Sequence, residues 1–288
     1  MGRTFESLDL RRDRISRGLH RSDEDSCHLM GVINVTPDSF HAQSRMQTVE
    51  DAVTEGLKMW NEGATWLDVG GESTRPGAQT VTIEEELRRV IPVIRELRRA
   101  NPHGLISIDT RHAVVASASI EAGADLVNDV SGLRDPAMID VVLEAQCGVC
   151  IMHMQGTPET MQDSPKYMDC AKEVSEQLLE TARGLVAAGL PAELIALDPG
   201  IGFGKALHDN LELLQRHEML RGIEGFAILW GVSRKSMIGA ITGQSQPEHR
   251  LNGTLGVAAY AHQEGIDILR VHDVEAHADM LKVLQVLD

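Results

Sequence analysis

The chain has 288 residues, of which 42% are apolar but only 3% aromatic, so its core must be built from aliphatic side chains. A formal net charge of −16 argues against nucleic acid and anionic membrane as partners, because both need basic surface. No run of 18 apolar residues and no secretory h-region is found, and the expectation is a cytoplasmic protein.

Residues 1–27 are densely charged and read as an extension, or as a plug for the bottom of the fold that follows. From residue 28 onward, short apolar runs alternate with longer amphipathic ones. Strands are expected at His28–Val35, Trp66–Gly70, Leu105–Asp109, Asp125–Val130, Val149–His153, Leu194–Asp198, Ala227–Val232 and Ile268–His272. They are rich in Val, Ile and Leu without strict alternation, which marks parallel strands covered on both faces. Helices are expected between them at Thr48–Glu62, Thr82–Ala100, Ala113–Ala122, Pro136–Ala145, Asp169–Ala188, Asn210–Gln215, Arg250–His262 and Val274–Leu287. Several of these patterns end in Gly, which suits a left-handed terminus. Eight strands alternating with eight helices predict a (β/α)8 TIM barrel, one domain over residues 28–288. A doubly wound sheet is the competitor, but it usually has fewer strands and one Gly-rich phosphate loop. Cys147 and Cys150 form a C-x-x-C with no second pair to complete a zinc site, and read as reduced thiols.

Every expected strand ends in a polar or charged group. In order these are Asn34, the stretch Gly71–Gly77, Asp109, Asn128-Asp129, His153, Asp198, the stretch Ser233–Ser236, and Arg270 with His272. In a barrel all eight ends converge on one mouth, where barrel enzymes keep their chemistry. Arg75, Lys235, Arg270 and His272 offer cations and donors for phosphate or diphosphate. Asp109, Asn128 and Asp198 suit a flat heterocycle with several N–H groups. Asn34 is a hard oxygen ligand that could help hold Mg2+ beside a diphosphate. Only six of the 27 basic residues are Lys, and Lys235 stands at a helix start, where positive charge is disfavoured. That misplacement favours a ligand role. Plainer readings exist: Asp109 as a helix cap, Asp198-Pro199-Gly200 as a turn, Ser233–Ser236 as a helix start, Met152 and His153 as core.

At these residues the chain resembles the dihydropteroate synthase family. The segments are MGVINVTPDSF (30–40), GGESTRPG (70–77), SIDT (107–110), NDVSG (128–132), MHMQGTP (152–158), DPGIGFGK (198–205), GVSRKSMIG (231–239) and RVHDV (270–274). The resemblance implies a (β/α)8 barrel and a transferase of folate biosynthesis. It condenses a hydroxymethyl-dihydropterin diphosphate with p-aminobenzoate, the substrate that sulfonamides imitate, and releases diphosphate. It further implies Asp109, Asn128, Met152, Asp198, Lys235 and Arg270 around the pterin, with Asp109, Lys235 and Arg270 catalytic. Asn34, Arg75, Arg270 and His272 would face the diphosphate, with Asn34 on Mg2+. Thr74, Pro76, Phe203 and Ser236 would bound the aminobenzoate. A homodimer joined through helices away from the mouth is implied as well.

Two alternatives stay open on this evidence. A pterin-binding methyltransferase domain shares the barrel and the acidic residues but has no need of GESTRPG or SRKS. A ligand-binding homologue without turnover would keep the fold and lose catalytic positions. One departure stands out: where the family follows Phe40 with a glycine-containing turn, this chain has His41-Ala42-Gln43-Ser44-Arg45. That puts lid closure in doubt and leaves the pterin site intact.

Overall fold

The structure is a computed structural model that describes residues 7–22, 26–35, 45–72, 81–157, 160–161 and 165–287, the side chains of 45–48 excepted. Eight parallel strands close into a barrel in sequence order, β1 pairing with both β2 and β8. The strands are β1 His28–Asn34, β2 Trp66–Gly70, β3 Leu105–Asp109, β4 Leu126–Asp129, β5 Gly148–Met152, β6 Ile195–Asp198, β7 Ala227–Trp230 and β8 Ile268–Val271. The helices are α1 Leu8–Leu19, α2 Arg45–Glu62, α3 Ile83–Ala100, α4 Ala113–Ala122, α5 Pro136–Ala145, α6 Cys170–Ala187, α7 Leu207–Gln215, α8 Ser236–Thr242, α9 Leu251–Gln263 and α10 Val274–Leu287. Strands β2 to β6 are buried along their whole length, as aliphatic runs sealed between helices and the barrel interior must be.

Local chemistry sets the helix ends. Thr82 caps α3 by accepting from the Glu85 N–H, three glutamates fill the first turn, and two arginines fill the last. Asp169 caps α6 in the same way, by accepting from the Lys172 N–H. All four cysteines are free and buried, as reduced thiols should be.

Helix α1 lies across the end of the barrel where the strands begin. Ile15 and Leu19 are fully buried, and the Trp66 indole at the start of β2 donates to the Gly18 carbonyl at 2.6 Å. A Cβ on Gly18 would stand 2.3 Å from a Leu105 methyl, so a larger residue there would make Leu105 shift. Asp125 clasps the arrangement: its carboxylate takes Arg98 at 2.6 Å, Arg14 at 3.1 Å and Arg11 at 3.8 Å. With this end sealed, the opposite rim is left for the site.

Candidate active site

Three hydrogen bonds at the mouth join strands that are not neighbours in the barrel, so the side chains making them meet inside it. Arg270 of β8 donates from Nε to Asp68 Oδ2 of β2 at 2.6 Å, and from Nη2 to Asp109 Oδ2 of β3 at 2.7 Å. Asn128 of β4 donates from Nδ2 to the same Asp68 oxygen at 3.1 Å. Strand alternation makes this possible, because every second residue of each strand points inward. Asp68 is wholly buried, and its second oxygen has no partner among the described residues.

Among the described residues, the carboxylates Asp68, Asp109 and Asp198 face the cations Arg270, Lys235 and, behind the cavity wall, Lys205. Burial pushes the Asp109 carboxyl up to about 7, against the pull of Arg270, with Asp68 pushing further the same way. Burial raises Asp198 too, although the Gly200 N–H and Lys235 oppose it. Burial works against the Arg270 cation, but Asp68 and Asp109 outweigh it and hold the guanidinium charged. A site lined by buried acceptors is ready for a ligand that brings N–H donors.

The β6 end supplies the next wall. Asp198 accepts from the Gly200 N–H at 2.7 Å, and the turn swings Phe203 toward β7. Lys235 Nζ stands 3.9 Å above the centre of the Phe203 ring, a cation–π contact. Ser236 opens α8 directly after it. His272 Nδ1 lies 2.9 Å from Ser233 Oγ. Asn34 ends β1 exposed at the rim.

These residues share one cavity of about 420 Å³, within the range of small-molecule sites. Ten of the candidate residues line it: Asn34, Asp109, Asn128, Met152, Asp198, Phe203, Lys235, Ser236, Arg270 and His272. Thr74, Arg75 and Pro76 lie outside the described residues, as does the 41–44 part of the glycine-free stretch. Asp109 is not a helix cap: His112 occupies that position before α4. Asp198 does shape its turn and Ser233–Ser236 does precede a helix, so there the plain reading and the cavity-lining placement coexist. His153 faces away from this chemistry, onto Lys205. The sequence signal for Asp68 is a lone carboxylate inside an apolar run, but its partners, 60 and 202 residues away, cannot be read there.

The family model for pterin binding enzymes matches residues 30–272. The dihydropteroate synthase of Escherichia coli is 43% identical over 258 residues, covering 90% of each chain. The chain belongs to the dihydropteroate synthase family of pterin binding enzymes. Another member, from Neisseria meningitidis, is 42% identical over 268 residues and covers 91% of this chain and 93% of its own. Among solved structures of the family, the Xanthomonas albilineans dihydropteroate synthase with 4-aminobenzoic acid superposes with a TM-score of 0.83 at 44% identity, covering 92% of this chain and 94% of that one. The Burkholderia cenocepacia dihydropteroate synthase complexed with 7,8-dihydropteroate gives 0.82 at 42% identity, covering 91% and 92%. The barrel expected from the strand–helix alternation is therefore the family's barrel, and each of the eight family segments contributes at least one described residue to the cavity lining.

Proposed function

We propose that this chain is a dihydropteroate synthase, joining 6-hydroxymethyl-7,8-dihydropterin diphosphate to p-aminobenzoate. The observation that carries the reading is one cavity holding the buried acceptors Asp109, Asn128 and Asp198 beside the Lys235–Phe203 wall. The acceptors take the N–H groups of the pterin, and Lys235 donates to its ring acceptors. Met152 lies along the ring. When the pterin takes Asp109, Arg270 is released from that carboxylate and turns to the ring face and the diphosphate. His272, Asn34 and Arg75 serve the diphosphate as well.

The chemistry is dissociative. The C–O bond between the pterin methylene and diphosphate breaks, and the electron pair leaves with diphosphate. Ionised Asp109 stabilises the methylene cation left behind, and the cationic side chains stabilise the leaving group. The aniline nitrogen of p-aminobenzoate then attacks the methylene carbon and gives up a proton to water. Thr74, Pro76, Phe203 and Ser236 hold that second substrate, with Ser236 donating its hydroxyl to the carboxylate.

The donors present fit Mg2+. Asn34 presents one hard amide oxygen at the rim, the kind of donor Mg2+ takes. That suits an ion that takes most of its ligands from diphosphate and water. Bound beside Asn34, Mg2+ would neutralise charge on the departing diphosphate.

The test is diphosphate release from the pterin diphosphate and p-aminobenzoate, measured with and without Mg2+. Release well above that of the Asp109→Asn variant is expected. Equal release from both would end the reading. Among the described residues no helix is long and apolar enough to cross a membrane. We read the chain as a homodimer, and light scattering should return twice the 31.5 kDa chain mass.

A further inference from the structure

Lys205 closes the stretch GIGFGK, and only 4% of it is exposed. It does not line the cavity. Its Nζ lies 3.0 Å from the Phe203 carbonyl, 3.1 Å from the Gly200 carbonyl, 3.0 Å from His153 Nδ1 and 3.3 Å from the His153 carbonyl. All four acceptors are neutral. Burial pulls the Lys205 amine down to about 7, with Asp198 opposing, and the backbone carbonyls meet the donors of the buried group.

The loop is shaped around that amine. Gly200, Gly202 and Gly204 all have positive φ, at 67°, 82° and 62°. A Cβ on Gly200 would stand 1.9 Å from the His153 carbonyl oxygen, so the β5 and β6 loops approach closely only because glycine is there. The Phe203 N–H returns to the Gly200 carbonyl at 3.0 Å. Two further bonds pin the outside of the loop: Asn210 accepts from the Gly202 N–H at 2.6 Å, and Tyr167 donates to the Gly204 carbonyl at 2.8 Å. One side of the loop thus gathers carbonyls onto Lys205. The other side presents Phe203 beneath Lys235.

We propose that Lys205 is a positioning residue for the aminobenzoate subsite: its amino group gathers the Gly200 and Phe203 carbonyls and the His153 ring, and so fixes where the Phe203 ring stands against Lys235. The substrate named here rests on the synthase reading. The geometry does not.

Two arms test it. In the first, Lys205→Met removes the amino group and keeps the side-chain length. KM for p-aminobenzoate should rise by about 10-fold, the scale of one displaced apolar contact, while KM for the pterin diphosphate changes by less than about 3-fold. Mere loss of folded protein would lower kcat and leave both KM values alone. In a Phe203→Ala background the same substitution should add no more than about 2-fold, since its effect runs through that ring. Parallel rises in both KM values, or full additivity with Phe203→Ala, would overturn the role. Lys205→Arg, which keeps donors in a larger head group, gives the same split if the methionine variant does not fold.

The second arm needs no turnover. The chain has six lysines, so the ε-methylene signals of 13C-lysine-labelled protein are few enough to assign. The Lys235 signal should sit upfield of the others, shielded by the Phe203 ring, and should move back toward them in the Lys205 variants. An unshielded Lys235 in the wild type, or an unchanged shift in the variants, overturns the proposal. Absence of synthase activity with the shift behaving as expected overturns the function reading alone.

Discussion

Asp109 and Asp68 divide two duties between two similar carboxylates. Asp109 lines the cavity, while Asp68 lies beneath it and holds Arg270 and Asn128 with a single oxygen. Asp109→Asn should keep the fold and cut kcat/KM by about 10²–10³, the usual cost of losing one preorganised charge. Steady-state kinetics with a circular dichroism control measures this. Asp109 must be ionised to stabilise a cation, and burial holds its carboxyl up at about 7. The kcat/KM profile of the free enzyme should therefore fall on the acid side of about pH 7. Asp68→Asn keeps an oxygen for Arg270 and removes a like charge from the neighbourhood of Asp109. The acid limb should then move to lower pH, and a limb that stays in place would rule out that coupling. Asp109 could be seen in the sequence because it ends a strand. The role of Asp68 could not, because it depends on a β8 residue 202 positions away.

Helix α1, like the shorter α8, is absent from the helices expected from the sequence, where residues 1–27 read only as an extension or a plug. Of its twelve residues only Ile15, Gly18 and Leu19 are buried, too thin a stripe to stand out among four arginines. What docks it is the Asp125 clasp, whose partners come from α1 and α3, and that convergence exists only in three dimensions. Asp125→Ala should cost on the order of 2–4 kcal/mol, below the full value of a buried pair because the arginines are partly exposed. Thermal melting should drop by several degrees while KM for both substrates holds steady. By contrast, all eight strands were legible to within two residues at each end. A parallel strand sealed on both faces is a near-continuous apolar run, so composition exposes it.

For the whole molecule, the acidic surface and the acid-rich mouth bear on how stability responds to pH. Glu86 of α3 is 1% exposed, and burial raises its carboxyl to about 7, with Thr110 and Arg111 opposing and Glu72 assisting. Its folded pKa lies above its unfolded value. Its stabilising contribution is therefore complete below about pH 4.5 and is lost as pH rises through about 7. Glu86→Gln should remove that loss, raising the melting temperature at pH 8 relative to wild type and flattening its slope between pH 5 and 8. A slope identical to wild type would contradict the assignment. The barrel and the positions around its rim were legible because topology forces eight strand ends to one place. The hidden supports beneath that rim were not.

Arg270 also bears on affinity. Its guanidinium already satisfies Asp109, the carboxylate proposed to hold the pterin. On that proposal the protein carries a tethered competitor for its own substrate. Measured affinity is the difference between two occupants of Asp109 and not the strength of either. The same side chain is at hand to reclaim the seat when product loosens, so an unpaired buried charge need never appear between turnovers.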